Sequence, residues 1–427
     1  MSVALVSIIV LCAILLIATV LPIHMGALSL AAAFVVGMFV LDGNFKAKVD
    51  QIAGGFPGDL FVVLAGVTFL FAIAKNNGTV DWLVHTAVRS VRGRVAILPW
   101  IMFFVTALLT AVGAVAPAAV AMIVPVGLGF AARYGISPVL VGLMIVNGAT
   151  AGSFSPIGIF GAITNGVVER SNLDGSPLTL FLASLVFNII LAGITVVVFS
   201  RRERADGRSS GRADTAANSA TPVPEGPDRL DLPRALTVIS LLVLAVGALA
   251  FGLDVGFSAF VVAVLLSAAD PRGAKGAINQ IAWPTVLLVC GIVTYVSLME
   301  SIGTIDYVGE GVAAVGTAIV AALLICYIGG VVSAFASTTG ILGALIPLAV
   351  PILRTSGVGT AGLITALAIS SSVVDSSPFS TSGSLVVANA PEEERDVVYR
   401  RLIQWGFTMV ALAPLVTWLL LVVPGWL

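Results

Sequence analysis

The residues best placed to do chemistry lie in one stretch, Ser370 to Gly383, which reads SSSVVDSSPFSTSG between the apolar runs Ala361–Ile369 and Leu385–Ala388. Pro378 has no amide hydrogen and disfavours helical geometry at Ser377, so the stretch reads as a break in a membrane helix. Backbone groups freed by a break are not tolerated in lipid and must face a cavity or a ligand. A loop at the membrane surface is the alternative for this stretch taken alone. Hydroxyls, freed carbonyls and one carboxylate, Asp375, are hard oxygen donors suited to a cation such as Na+. An ionised Asp at membrane depth costs about 2.5–3.5 kcal/mol, so Asp375 needs a cation or a proton. No Lys or Arg lies nearby, which makes bound sodium the simplest partner, with Ser376 and Ser337 as further ligands. A coupling proton is the competing account. A helix N-cap role for Asp375 is the purely structural one.

Enzyme chemistry finds little support. The chain has two histidines, His24 and His85, and lacks HExxH, GxxxxGK, a Cys/His metal spacing and a nucleophile elbow. Ser153 stands where a second acid would be needed for a carboxylate dyad. Cys12, Cys290 and Cys326 fall in apolar runs and read as buried thiols.

The stretch has a counterpart. Ser155, Pro156 and Gly161 recur 222 positions on as Ser377, Pro378 and Gly383. Gly66 and the run Gly78, Thr79, Val80, Asp81 recur 225 positions on as Gly291 and Gly303, Thr304, Ile305, Asp306. AFVV at Ala33–Val36 recurs at Ala259–Val262. Three matches in one order at nearly one offset indicate a duplicated unit.

A composition of 59% hydrophobic and 10% charged residues places the chain among multi-span membrane proteins. The N-terminus reads as a first span, not a signal peptide. With about 20 apolar residues needed per crossing, spans fall near Ala4–Leu21, Ile23–Leu41 and Leu60–Ala74, then a pair at Val95–Val112 and Ala116–Ala132. Pro138–Val168, interrupted at Gly152–Gly158, and Leu178–Phe199 complete the first half. The second half repeats the order: Ala235–Phe251, Phe257–Ala268, Pro284–Leu298, a pair at Val312–Ala334 and Ile341–Ile352, the broken span, and Phe407–Val423. The expected fold is all-α and polytopic. Each half has five crossings and one hairpin, and because five is odd the halves form an inverted repeat. The uncharged tips Val112–Ala119 and Ala336–Leu342 suit re-entrant hairpins.

The expected organisation is therefore a first repeat over 1–200, a disordered cytoplasmic linker over 201–233 and a second repeat over 234–427. The linker is rich in Arg, Ala, Ser, Gly and Pro. Its arginines place it in the cytoplasm and both termini outside. The other loops agree, since only Lys46, Lys48, Arg170 and Arg354 of the 21 basic residues fall outside. Two segments are expected at the cytoplasmic surface: one with His85, Arg89 and Arg92 on a single helical face, and one from Pro391 to Trp405.

Two tips and two broken helices from inverted halves can point helix N-termini at one midplane site, where each carries roughly +0.5 of a charge and favours an anion. The candidate substrate residues are Ala116, Pro117, Ser153, Ser155, Pro156 and Gly158 from the first half. From the second they are Ser337, Thr338, Thr339, Ser377, Pro378 and Thr381. Close packing of small residues is the alternative role for these positions.

At GVTFLFAIAKNNGTVDWLV, GAVAPAAVAMIVPV and VVDSSPFSTSGSLVVAN the chain resembles the divalent anion/sodium symporters of the ion-transporter superfamily. Within them it is most similar to the dicarboxylate carriers of the malonate carrier (MatC) type. The resemblance implies a secondary transporter in the cell (plasma or inner) membrane, carrying malonate or a C4-dicarboxylate with a cation. It further implies a homodimer whose transport domain moves like an elevator against a scaffold. Relatives carry Ser-Asn-Thr in each tip, ten residues before a proline. Here the second tip has Ser337, Thr338 and Thr339, and the first has Val115, Ala116 and Pro117. Thr381 matches the Thr of the second broken helix, and its first-half counterpart is Ile159. The substrate contacts are therefore expected to fall mainly in the second half. The partners expected are a small dicarboxylate, the bilayer and a second copy of the chain, with no nucleic acid. A passive anion channel is the alternative function.

Overall fold

A computed structural model describes residues 2–89, 97–205, 230–305, 307–308, 318–335, 337–356 and 358–425. The described residues form helices joined by short turns, with no strand among them. In the first half these are α1 (Val3–Val20), α2 (Met25–Val40), α3 (Phe45–Gly54), α4 (Gly58–Asn76), α5 (Thr79–Arg89), α6 (Leu98–Ala111), α7 (Ala116–Tyr134), α8 (Pro138–Ser153), α9 (Ile159–Arg170) and α10 (Pro177–Ala205). The second half continues with α11 (Leu232–Phe251), α12 (Val255–Ala269), two short turns at Pro271–Ala274 and Ala277–Gln280, α13 (Trp283–Ser301) and α14 (Ala318–Ser333). It closes with α15 (Thr338–Ser356), α16 (Thr360–Ser372), α17 (Thr381–Ala388) and α18 (Arg395–Thr417), the last running into a π-helical turn at Trp418–Val422.

Six of these helices, such as α1, α4 and α13, are long and apolar enough to cross a membrane, and shorter apolar helices accompany them. The chain is thus an integral membrane protein of the all-α, polytopic class. The apolar runs expected as spans all become helix where they are described; the expected starts at Val95 and Val312 lie outside the described residues. α3 is a helix that a hydropathy scan passes over, because it is short and half polar. Asn44 caps it by accepting from the Ala47 amide at 2.9 Å.

Three further expectations are adjusted. The segment from Pro391 does not stay apart from the last span. After a short turn at Glu392–Glu394 the helix runs unbroken from Arg395, because Val398, Leu402 and Trp405 bury one continuous helical face. The linker is narrower than 201–233, since Arg201–Ala205 extend α10 and Leu232–Pro233 open α11, with Pro in the first turn where its missing amide costs nothing. Residues 206–229, and Arg92 of the first surface segment, lie outside the described residues. Cys12 is exposed on α1, whereas Cys290 and Cys326 are buried as expected.

The matched residues of the two halves take matched geometries. Gly78 and Gly303 both sit in the left-handed region, at φ 77° and 74°, ending α4 and α13. α2 crosses α13, and α12 crosses α4, and each crossing is closed by glycines. A Cβ at Gly291 would lie 2.1 Å from the Gly26 carbonyl oxygen, and one at Gly66 would lie 2.6 Å from that of Gly256. These crossings tie α1–α4 and α11–α13 into one body. The hairpins α6–α7 and α14–α15, the broken pairs α8/α9 and α16/α17, and α10 and α18 pack together as a second body.

Candidate substrate and cation site

Both predicted breaks are present. The first leaves residues 154–158 outside helix between α8 and α9; the second turns through a 3-10 segment at Val373–Ser376 and leaves 377–380 outside helix before α17. The segment after each break is drawn tightly onto the break itself. A Cβ at Gly161 would lie 2.0 Å from the Ser155 carbonyl oxygen, and a Cβ at Gly383 would lie 2.0 Å from that of Ser377. The recurring Ser-Pro and Gly are therefore one folded motif used twice.

Four helices begin at the residues singled out by sequence: α7 at Ala116, α15 at Thr338, α9 just after its N-cap Gly158, and α17 at Thr381. The structure pairs these helices across the two halves. α7 packs on α17 and α15 on α9, so the second arm of each hairpin meets the second segment of the other half's broken helix, and α8 touches the Val373–Ser376 turn. The first tip is buried: Gly113 and Ala114 are covered, and a Cβ at Gly113 would lie 2.1 Å from Val67 Cγ1 of α4. A water-exposed loop would not be sealed against another helix in this way. At 14 residues α6 is about 21 Å long, short of the roughly 30 Å hydrocarbon layer.

Asp375 is 8% exposed, and its carboxylate accepts a hydrogen bond from Thr338 Oγ1 at 2.6 Å. Thr338 Oγ1 is also 2.7 Å from Ser333 Oγ and 3.4 Å from the Ser371 carbonyl oxygen. The hairpin tip and the break are thus joined by a carboxylate, hydroxyls and a carbonyl. The hydrogen-bond partner of the Asp375 carboxylate is the Thr338 hydroxyl; ion pairs lie elsewhere, at Asp59–Arg170 and Asp231–Arg234. Ser371 Oγ is buried without a hydrogen-bond partner.

The cap reading of Asp375 is corrected by the geometry. Ser380 is the N-cap of α17, accepting from the Gly383 amide at 3.1 Å, while Asp375 stands in the turn before it. Ser380 Oγ also donates to the carbonyls of Asp375 and Ser377, which pins the break shut.

The other expected residues divide by how their hydroxyls are spent. Ser376 Oγ donates to the Val373 carbonyl at 3.0 Å, and Ser153 Oγ to that of Ala149 at 2.7 Å, each within its own helical turn. Ser155 Oγ donates to the Ala111 carbonyl at 2.6 Å, tying the first break to the end of α6. Ser377 Oγ accepts from the Phe379 amide at 3.3 Å. Thr339 is buried, Ser337 is half-buried and Thr381 is exposed. Ala116 and Pro378 are buried, whereas Pro117 and Pro156 are half-buried. Sequence reasoning missed Ser333, which lies in an apolar run five residues before Thr338. It also missed Ser380, one hydroxyl among many in its stretch.

Comparison with known proteins agrees with this architecture. Residues 1–153 match the family described as dicarboxylate carrier protein MatC N-terminus, and residues 248–426 match the citrate transporter family CitMHS. No curated protein matches. The chain is similar to the crystal structure of the Alcanivorax borkumensis YdaH transporter, at a TM-score of 0.62 and 13% identity over 94% of this chain and 97% of that one. With a fold shared with a transporter, built around paired hairpins and broken helices, and a match in each half to an organic-anion transporter family, the chain is similar to dicarboxylate and citrate transporters.

Proposed function

We propose that the chain is a secondary active transporter that carries a small dicarboxylate, malonate first and C4-dicarboxylates next, by cation-coupled symport. The observation that carries this reading is the contact between Thr338 and Asp375, which sets a cluster of oxygens at the meeting point of a hairpin tip and a break. In this reading the N-termini of α7, α9, α15 and α17 face one site, where together they favour an anion without a buried Lys or Arg. The carboxylate accounts for coupling, since a charge at that depth requires a compensating cation or proton.

Sodium fits the donors present. Asp375, Thr338, Ser333 and the Ser371 carbonyl are all hard oxygens, and the orphaned Ser371 hydroxyl is a further donor within the same chain segment. When bound, sodium would supply the positive charge that lets Asp375 stay ionised. Thr338 and Ser333 thereby join Ser337 and Ser376 as candidate ligands beside Asp375. A proton on Asp375 is the second reading, and the same hydroxyls would then order the acid.

The glycine crossings, the paired left-handed turns and the twin Ser-Pro/Gly motifs support a pseudo-twofold inverted repeat, 1–200 against 234–427, joined by a cytoplasmic linker with both termini outside. In that arrangement the second body moves as an elevator against the first, in a homodimer in the cell membrane.

Uptake of labelled malonate, succinate and citrate by proteoliposomes, with imposed sodium or proton gradients, tests the proposal. Accumulation of malonate or succinate above equilibrium, driven by one gradient, is expected. Equilibration without accumulation would make the protein a passive anion channel. Preference for citrate would move the substrate to that of the second family. No uptake of any carboxylate would remove the reading.

A further inference from the structure

The two halves do not hold their broken helices alike. In the first half α9 is covered on both sides, by α15 and by the start of α4, and Ile159–Thr164, Val167 and Val168 are buried. Leu60 of α4 fills the space in front of Gly166, where a Cβ would lie 2.3 Å from Leu60 Cδ2. One turn further, the Arg170 guanidinium forks onto the Asp59 carboxylate, Nε to Oδ2 at 3.0 Å and Nη2 to Oδ1.

The repeat offsets make α17 the counterpart of α9, and α13 the counterpart of α4. α17 packs on α7 as α9 packs on α15, yet among the described residues it makes no comparable contact with α13. Instead Thr381, Ser384 and Ala388, along one face of α17, are exposed. The face of α17 that corresponds to the covered face of α9 is thus left open. In the topology proposed above, that open face lies toward the cytoplasm, and the covered end of α9 closes the outer side.

Two similar units packed differently define two states, because exchanging their arrangements gives a second packing of nearly the same contacts that faces the other way. The counterparts of Leu60 and Gly166 are Thr285 and Ala388, both small and neither buried. The counterparts of Asp59 and Arg170 are Pro284 and Glu392, which cannot form an ion pair. The exchange therefore preserves the packing and loses the ion pair.

We propose that the Asp59–Arg170 pair is a one-state lock. It holds the outer side closed and breaks when α9 leaves α4 and α17 docks its Ala388 against Thr285 of α13. The proposal rests on the repeat and topology of the preceding reading. A partly exposed fork-shaped pair biases the two populations by about two- to five-fold.

The test uses a Thr285→Cys/Ala388→Cys variant in which Cys12, Cys290 and Cys326 are replaced by alanine. The rate of disulfide formation in membranes then reports the second state without requiring any substrate. Asp59→Asn and Arg170→Gln should each raise that rate about two- to five-fold, and the exchange Asp59→Arg with Arg170→Asp should return it toward the starting value. A rate untouched by either substitution overturns the lock, and a pair that never cross-links overturns the second state. As an independent arm, bridging an Asp59→Cys/Arg170→Cys variant, in the same background without Cys12, Cys290 and Cys326, with a bifunctional thiol reagent long enough to replace the ion pair should stop uptake; uptake at full rate in the bridged protein also overturns the lock. The cross-linking arm keeps its meaning if the substrate proves not to be a dicarboxylate, so failure of the lock and failure of the transport reading stay distinguishable.

Discussion

Replacing Gly383 by alanine would place a methyl carbon 2.0 Å from the Ser377 carbonyl oxygen, where ordinary contact begins near 3.4 Å. α17 would have to retreat by about 1.4 Å, the difference between those two distances. That carbonyl cannot easily turn away, since it accepts from the Ser380 amide at 3.0 Å and from Ser380 Oγ at 2.7 Å. Forced overpacking costs about 1–3 kcal/mol, and each lost hydrogen bond about 1 kcal/mol more. Relative to a typical domain stability of about 5–15 kcal/mol, the change should be visible as a lower melting temperature of the purified protein. Transport should suffer more than stability, because the retreat shifts the start of α17 relative to the turn that carries Asp375. Gly161→Ala, whose added carbon meets the Ser155 carbonyl at the same 2.0 Å, should behave alike. Gly193→Ala on α10, with nothing within 4 Å, is the neutral control. The assay is paired: thermal unfolding in detergent, and uptake in proteoliposomes at matched protein. If Gly383→Ala matches the Gly193→Ala control in both, the break is not held in the geometry described and the argument for a tightly built site fails.

Asp375→Asn keeps the size of the side chain and removes its charge, so uptake should lose either its sodium or its pH dependence, and the gradient that no longer matters identifies the coupling ion; unaltered dependence on both would show that Asp375 has no coupling role. Thr338→Val leaves Asp375 without its donor, and a hydrogen bond to a charged group contributes about 1.5–3 kcal/mol. The activating cation concentration should therefore rise by at least about ten-fold, with Thr338→Ser near wild type. Ser377→Ala should weaken transport more than Ser153→Ala, whose hydroxyl serves only its own helical turn; equal losses measured side by side would refute the asymmetry between the halves.

Much of the architecture was legible without coordinates because it is written in local chemistry. Apolar runs must become helices in a bilayer, where the backbone has no water to bond. A proline among serines must free backbone groups and so mark a break. The recurrences at near-constant offset located both breaks, and Gly66/Gly291 and Gly78/Gly303 proved to be crossing and turn positions. The second hairpin arm of the first half begins at Ala116 as its apolar run implied, whereas its counterpart begins at Thr338, three residues before the expected Ile341, because hydroxyl residues open the helix ahead of the apolar run. α3 was harder to read, because a ten-residue amphipathic helix carries no span-length signal.

What the sequence determined by itself, then, was the membrane class, the breaks, the tips and the presence of one acid among hydroxyls. These depend on residue type and near neighbours, and they survive any rearrangement of the helices. Which oxygen faces Asp375 was decided only by the tertiary structure, because Thr338 reaches it across 37 positions of chain, with Ser333 bonded behind it, through the angle at which a hairpin meets a break. Likewise, nothing local assigns the capping of α17 to Ser380, or pairs Arg170 with Asp59. Those partners are set by how two helical bodies pack, and packing depends on every contact made at once.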